Sequence, residues 1–165
     1  MRGILPIVLL LTMLLGACSP GMRDYSRWDN IPVKGWVYGD TVPLLLVDTS
    51  LYDNDSIVTG ELCVALRHSS DYPYSNLWLE VTYHSDRHMM VRDTLDITLA
   101  DVFGRWLGRG FGASYQQSVL VSPSAVVDIT RPVAVRHIMR VDTLRGVDQI
   151  GVSISPATTN HNIRK

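Results

Sequence analysis

Apolar and polar residues alternate along several short stretches of the chain, and this period of two is its main structural signal. The clearest stretch is residues 76–84, where the apolar positions are Leu77, Leu79, Val81 and Tyr83. Residues 90–100 repeat the alternation after a short polar loop. Because side chains two residues apart on a strand lie on the same face of a sheet, both stretches are predicted strands with one buried face. Their spacing predicts a β-hairpin.

Other stretches with β-type patterns occur on both sides of this hairpin. They are residues 34–47, 57–67, 114–121, 133–141 and 149–155. Turn-forming residues separate them at 53–56, 71–75 and 122–124. No long stretch has the 3.6-residue period of a surface helix. The pattern therefore predicts an all-β fold, a single antiparallel β-sandwich of about eight strands with jelly-roll or immunoglobulin-like topology.

The N-terminal residues have a different pattern. Arg2 precedes an apolar run over residues 4–15, and the small residues Gly16 and Ala17 follow it. This order is typical of a secretory signal peptide. The run is shorter than the roughly 20 residues that a membrane-spanning helix needs, so it is not expected to remain as a permanent span.

The residues from Leu15 to Cys18, with the sequence LGAC, resemble the lipobox of bacterial lipoproteins. The resemblance implies cleavage between Ala17 and Cys18, diacylglycerol on the Cys18 thiol and usually a further acyl chain on the new amino group. Two or more acyl chains hold a protein stably on a membrane, whereas one chain binds reversibly. We therefore expect a lipid-anchored protein. The alternatives are a plain signal peptide beside a chance cysteine, or a short buried helix.

These patterns divide the chain into four parts. They are a signal peptide at 1–17, a lipidated tether at 18–30, a β-sandwich domain at 31–155 and a flexible tail at 156–165. The tether is polar and without apolar periodicity, so it would keep the domain close to the membrane. Ser19 and Pro20, rather than an aspartate, follow Cys18. We therefore expect the outer membrane rather than the inner one, and a periplasmic domain.

Charge and cysteine content narrow the function classes. The chain has 15 basic and 16 acidic residues, a formal net charge of −1, and no basic stretch, which argues against nucleic acid as a partner. If Cys18 carries lipid, Cys63 has no disulfide partner, because these are the two cysteines of the chain. Without a CxxC motif or a paired histidine, Cys63 is expected to be a small buried residue rather than a reactive thiol.

No motif in the chain predicts catalysis, so we expect a non-enzymatic protein without a cofactor or a metal. A glycine-rich stretch suggests a phosphate-binding loop as an alternative. Its glycines are Gly104, Gly108, Gly110 and Gly112. They lack the GxGxxG spacing and the GxxxxGK motif that dinucleotide and phosphate loops require, so they are interpreted as turns.

A metal site and a hydrolytic site are two further alternatives. The candidate metal ligands are His84, Asp86 and His88. A zinc site needs three or four fixed ligands, and no further histidine or cysteine has matching spacing, so a solvated turn is the simpler interpretation. A hydrolase would need carboxylates clustered in a pocket. The candidates are Asp71, Glu80 and Asp93.

Two arginines, Arg67 and Arg140, lie in otherwise apolar predicted strands. A buried arginine needs a partner for its charge. The candidate partners are Asp71, Asp101 and Asp142. We therefore expect structural ion pairs here, ahead of ligand recognition. His137 shares a face with apolar positions of its predicted strand and is interpreted as a core histidine.

Four aromatic residues are candidates for an interface or for a sugar-binding platform. They are Tyr72, Tyr74, Trp78 and Trp106. Such side chains combine an apolar ring with a hydrogen-bonding group, which suits both uses. Core packing is the simpler interpretation of each, whereas exposure of the loop aromatics in a common groove would favour sugar binding.

Three segments behind the lipobox resemble the GldH family of gliding-motility lipoproteins of Bacteroidota. They are residues 67–79 (RHSSDYPYSNLWL), 99–112 (LADVFGRWLGRGFG) and 137–151 (HIMRVDTLRGVDQIG). They occur in the family's order, and the likeness spans most of the mature chain. The combination with the lipobox makes the resemblance more specific than any one segment.

The resemblance implies an envelope lipoprotein that gliding relatives need for movement over surfaces, in machinery linked to type IX secretion. It brings no catalytic residues to positions of this chain. We therefore expect a non-catalytic, membrane-anchored component that acts through contacts with envelope proteins. The alternative is a carbohydrate-binding lipoprotein that uses aromatic loop residues.

Overall fold

The computed structural model describes residues 24–48, 57–86 and 89–156. These ranges contain eleven strands and no helix, and so no helix able to cross a membrane. The strands are β1 (Tyr25–Asn30), β2 (Trp36–Val37), β3 (Val42–Leu44), β4 (Ile57–Ser69), β5 (Asn76–His84), β6 (Met90–Thr98), β7 (Arg109–Phe111), β8 (Ser114–Asp128), β9 (Val133–His137), β10 (Thr143–Leu144) and β11 (Val147–Pro156). The predicted signal peptide, Cys18, the turn at 53–56 and the tail beyond residue 156 lie outside the described residues.

Two antiparallel sheets form the sandwich. One has five strands in the order β1-β11-β4-β8-β7, and the other has four in the order β3-β9-β5-β6. The short strands β2 and β10 form a separate pair. The prediction of an all-β antiparallel sandwich is confirmed. The excess over the predicted eight strands comes from pieces of two or three residues, such as β2 and β7.

The core lies between the two sheets because each contributes one apolar face. On β4, Leu62, Val64 and Leu66 are fully buried, and on β5 every second residue from 77 to 83 is buried. The predicted hairpin is confirmed, since β5 pairs with β6 in continuous register. Full burial of a large aliphatic side chain contributes about 1.5–3 kcal/mol. The apolar side chains of these alternating positions therefore contribute much of the stability of the fold.

Strand β8 is longer than its sequence pattern suggests. The turn predicted at 122–124 is wrong, because β8 continues through these residues to Asp128. A β-bulge breaks the register with β4 around Leu62, opposite this part of β8. Among the described strands, β7 covers the other side of β8 only at residues 114–116. Pro123 therefore lies on an open edge, where its missing N–H does not interrupt a ladder.

The five-stranded sheet begins inside the segment that was predicted to be tether. Residues 25–30 form β1 and pair with β11, with Tyr25 opposite Ile154. Four of its side chains are exposed, so β1 lacks the alternation that marks the longer strands. The five-stranded sheet thus includes residues that precede the domain boundary predicted at residue 31. Main-chain pairing, rather than a regular apolar face, defines this strand.

The two ends of the sandwich carry different loops. Tyr25 pairs with Ile154 near the end of β11, whereas Val147 at the start of β11 pairs with His68. These two positions are seven residues apart on β11, which corresponds to about 23 Å. The His68 ring contacts Trp106 in the loop that follows β6. We therefore define the distal end as the loops at 70–75 and 99–108, which lie at the other end of the sheet from the N-terminal entry.

Candidate functional site

Two of the four candidate aromatic residues are packed inside the distal end. Tyr72 is only 3% exposed, and its hydroxyl donates a hydrogen bond to the main-chain oxygen of Asn76 at 2.9 Å. Burial raises the pKa of the Tyr72 hydroxyl, so this group stays protonated and keeps donating. Trp106 is half-buried, and its ring centroid lies 4.7 Å from that of His68. Tyr115 stacks on His68 with 5.6 Å between the centroids.

The other two aromatic residues are more exposed but lie apart. Tyr74 is 36% exposed and contacts Tyr72 edge to face, with 5.7 Å between ring centroids. Trp78 is 40% exposed and projects from the outer face of β5. With Tyr72 and Trp106 committed to packing, the loop aromatics do not line an open groove. The arrangement that would have favoured a loop-borne sugar platform is therefore not formed.

Asp101 holds a tight turn at the distal end. Its Oδ1 accepts hydrogen bonds from the main-chain N–H groups of Phe103 and Arg105, both at 2.9 Å. Its Oδ2 accepts one from Arg105 Nε at 2.7 Å. The Gly104 N–H donates to the Asp101 main-chain oxygen. Gly104 has a φ of 78°, a conformation that favours glycine. These bonds, foremost that from the Arg105 N–H, lower the pKa of Asp101 and keep it an acceptor.

The apex of this turn presents two apolar side chains to solvent. Val102 is 93% exposed and Phe103 is 81% exposed, with the Arg105 guanidinium 5.6 Å from the Phe103 ring centroid. Single exposed apolar residues are common, whereas here two adjacent ones are held on a hydrogen-bonded turn. Neither residue was predicted from the sequence to be functional. The available signal was the Asp-x-x-Gly pattern of a turn with two apolar residues between its ends.

Arg67 does not form the ion pair that was predicted for it. It is exposed, and it donates to the side-chain oxygens of Gln116 and Gln149 at 2.9 and 2.8 Å. The prediction assumed burial, but Arg67 occupies an outward position of β4, where a charge needs no buried partner.

The remaining ion-pair candidates are also exposed or differently paired. Arg140, Asp71 and Asp142 are exposed, and within the described ranges none has an opposite charge at ion-pair distance. Asp101 does form an ion pair, but its partner is Arg105, four residues away in the same turn. Local turn geometry thus replaces the long-range pairs that the sequence suggested.

The carboxylates that a hydrolase would need are separated. Glu80 lies on the outer face of β5, where Arg136 donates to both of its oxygens at 2.7 and 3.1 Å. Asp93 faces the other side of the same hairpin and accepts a hydrogen bond from the Tyr83 hydroxyl at 3.4 Å. Asp71 is exposed in the turn between β4 and β5. The three therefore do not assemble an acid and base.

Glu80 is expected to make stability depend on pH in the acid range. The Arg136 hydrogen bond, with the charges of Arg136 and Arg92, holds the pKa of Glu80 below its usual value. Such a carboxyl contributes stability that is present above its unfolded-state pKa of about 4.3 and is lost as the pH falls through the lower folded-state value. Glu80→Gln should lower the free energy of unfolding by about 1 kcal/mol at neutral pH. It should also reduce the loss of that free energy as the pH falls, as measured by urea unfolding.

Glu61→Gln is the matched control for this measurement. Glu61 is an exposed glutamate on β4, and no arginine of the described residues lies within ion-pair distance of it. An equal effect of the two variants, or an unchanged acid slope in Glu80→Gln, would contradict the role given to Arg136.

The candidate metal ligands make other interactions. The Arg131 guanidinium donates to His84 Nδ1 at 2.9 Å, and Asp86 accepts a hydrogen bond from the Met89 N–H at 2.6 Å. His88 lies outside the described residues. Within residues 24–48, 57–86 and 89–156, no three or more histidine, cysteine, aspartate or glutamate side chains form a group that fits a metal.

His137 and Cys63 occupy different environments. His137 is fully buried, as predicted, and its Nε2 donates to the main-chain oxygen of Trp36 at 3.0 Å. Burial lowers the pKa of His137 and favours its neutral form. The strand predicted over 133–141 ends at this residue.

Cys63 is half-buried rather than buried, and partial burial raises the pKa of its thiol.

Comparison with known proteins identifies the family. A model of the GldH lipoprotein family matches residues 24–154. The chain belongs to the GldH lipoprotein family. It is 27% identical over 156 residues to the gliding motility lipoprotein GldH homolog of Christiangramia forsetii. The alignment covers 89% of this chain and 92% of that protein. The resemblance carried by the three sequence segments is confirmed.

Membership in this GldH lipoprotein family implies a membrane-anchored place in the cell envelope. Among solved structures, the coat protein of Tobacco streak virus aligns with 11% identity and a TM-score of 0.28, over 91% of this chain and 99% of that one. At that TM-score the likeness carries no argument about fold or function.

Proposed function

We propose that this protein is a non-catalytic component of envelope machinery for gliding motility or type IX secretion, and that it binds a partner protein through its distal end. The observation that carries the proposal is the Asp101 turn, which holds Val102 and Phe103 in solvent. Burial of such a side chain in a partner's apolar pocket contributes about 1.5–3 kcal/mol. Because the turn is already fixed, binding loses little conformational freedom.

The base of the loop is fixed by aromatic packing. Ala100 forms a bridge with Trp106, which closes the loop below the Asp101 turn. Trp106 in turn contacts His68 and Tyr115. The aromatic candidates Tyr72 and Trp106 therefore support the contact site from beneath rather than meeting the partner themselves.

The position of the turn suits a protein held by its N-terminus. The seven residues from Cys18 to Asp24 span at most about 25 Å whatever their conformation. Lipid on Cys18 would keep the N-terminal end of the sandwich close to the membrane. The distal end, about 23 Å further along the sheet, would then be available to neighbouring envelope proteins.

Photo-crosslinking in the native host tests this proposal. A photoreactive residue at Leu107, which is 36% exposed close to the turn, should form an adduct with a partner protein. Phe103→Ser should reduce that adduct at least about fivefold and impair gliding or secretion in a host that shows them. It should leave thermal stability unchanged, because Phe103 is outside the core.

Met90→Ser provides the matched control. Met90 is 57% exposed and lies at the start of β6, at the end of the sandwich opposite the Asp101 turn. The adduct and the phenotype should survive this change. Loss of the adduct in both variants, or its persistence in Phe103→Ser, would count against a contact through the distal end.

A further inference from the structure

A row of polar side chains crosses the outer face of the five-stranded sheet. Strand pairing places five residues side by side, one from each strand in the order β1, β11, β4, β8 and β7. They are Asn30, Gln149, Arg67, Gln116 and Arg109. Neighbouring strands lie about 4.8 Å apart, so the row extends about 19 Å. We refer to these five residues as the polar row.

Hydrogen bonds connect most of the polar row. Gln149 Nε2 donates to Asn30 Oδ1 at 2.7 Å. Arg67 donates through Nη1 to Gln149 Oε1 at 2.8 Å and through Nε to Gln116 Oε1 at 2.9 Å. Because a guanidinium only donates, the amide oxygens must face it, which fixes the orientation of both glutamines. Two of its five N–H groups are used, so about three remain for a ligand.

The positive charge of the polar row is not neutralised. Four arginines in the described ranges lie within 4.0 Å of a carboxylate: Arg92, Arg105, Arg131 and Arg136. Arg67 and Arg109 have no such partner there. Both line a surface cleft of about 350 Å³, together with Gly110, Ser114 and Gln116. An anionic ligand would complement this charge.

Small residues border the polar row on one side. The next outward positions on β8, β4 and β11 are the small residues Ser118, Ala65 and Gly151. The Trp28 ring lies so close to Gly151 that a β-carbon there would collide with it. The Arg67 guanidinium lies 5.2 Å from the Trp28 ring centroid. An aromatic ring thus borders a patch of small residues and a charged, hydrogen-bonding row of side chains.

We propose that the polar row binds an acidic oligosaccharide, a chain of sugar rings that carries carboxylates. Arg67 and Arg109 would bind the carboxylates, and the amides, which both donate and accept, would bind hydroxyl groups. Trp28 would contact a sugar ring. An acidic peptide fits less well, because β11 and β4 at the centre of the row are already paired with neighbouring strands on both sides and offer no main-chain edge to a peptide. The inference is independent of the partner contact at the distal end.

Calorimetric titration of the full-length lipidated protein in detergent micelles tests this inference. Hexagalacturonate should bind, with an affinity that falls as salt is added, and neutral maltohexaose should bind at least about tenfold more weakly. Arg67→Gln and Arg109→Gln should each weaken hexagalacturonate binding about tenfold. Arg27→Gln is the matched control, because Arg27 pairs with Val152 on the other face of the sheet.

Arg109→Gln decides the outcome if Arg67→Gln disturbs the fold. Among the described residues, the Arg109 side chain has no hydrogen bond or ion pair, so its replacement should not affect stability. Unchanged affinity in this variant, or no binding by the unaltered protein, would overturn the inference. Binding of hexaglutamate as tight as that of hexagalacturonate would assign the row to acidic peptides and would overturn it as well.

Discussion

Replacing Cys18 by alanine is expected to abolish lipid attachment and to move the protein out of the membrane fraction. The LGAC sequence and membership in a lipoprotein family both support Cys18 as the acylated residue. Each methylene buried in a bilayer contributes about 0.8 kcal/mol, so loss of the acyl chains removes most of the membrane affinity. Metabolic labelling with an alkyne fatty acid, followed by cell fractionation, measures both effects.

Cys63→Ala is the matched control, because it removes the other cysteine of the chain. It should leave the label and the membrane fraction unchanged. Label that persists in Cys18→Ala, or disappears in Cys63→Ala, would show that the lipid is attached elsewhere. Either result would also remove the basis for the orientation used in the proposed partner contact.

Trp36→Ala is expected to be the most destabilising single change in the described domain. Trp36 is 1% exposed, its Nε1 donates to the Asp40 main-chain oxygen at 2.9 Å, and its ring packs edge to face on His137 at 5.4 Å. Loss of a buried tryptophan side chain costs about 3–5 kcal/mol. For a domain of this size the unfolding temperature should fall by roughly 10–20 °C, which differential scanning calorimetry measures.

Trp78→Ala tests whether the effect depends on burial. Trp78 is 40% exposed on the outer face of β5, so its removal should cost about 1 kcal/mol. Equal losses of stability in the two variants would contradict the packing role given to Trp36. A much larger loss in Trp78→Ala would point to an additional layer against that face.

The features of the fold that follow from alternation were predicted, and those that follow from pairing alone were not. The β5–β6 hairpin and the buried face of β4 could be predicted because every second residue is apolar. Strand β1 could not, since four of its six side chains are exposed and its pairing with β11 leaves no alternation in the sequence. A serine-proline-serine sequence predicts a turn, but on an open edge with a bulge it continues a strand.

The candidate site shows the same division between local and long-range information. Aromatic residues at the distal end were visible in the sequence, but the burial of Tyr72 depends on a cluster that includes His68 and Tyr115 from other strands. The partners of Arg67 lie 49 and 82 residues away along the chain. No spacing rule relates such positions, so the polar row became recognisable only from the strand register.

The bulge and Pro123 in β8 have a consequence for crowding. Lipid anchoring would confine many copies of this chain to a plane, where collisions between similarly oriented neighbours are frequent. An uncovered strand edge in such a layer is a template for sheet-to-sheet polymerisation, which proline and local twist oppose. Pro123 and the bulge opposite it would thus oppose edge-to-edge pairing of anchored copies along this part of β8.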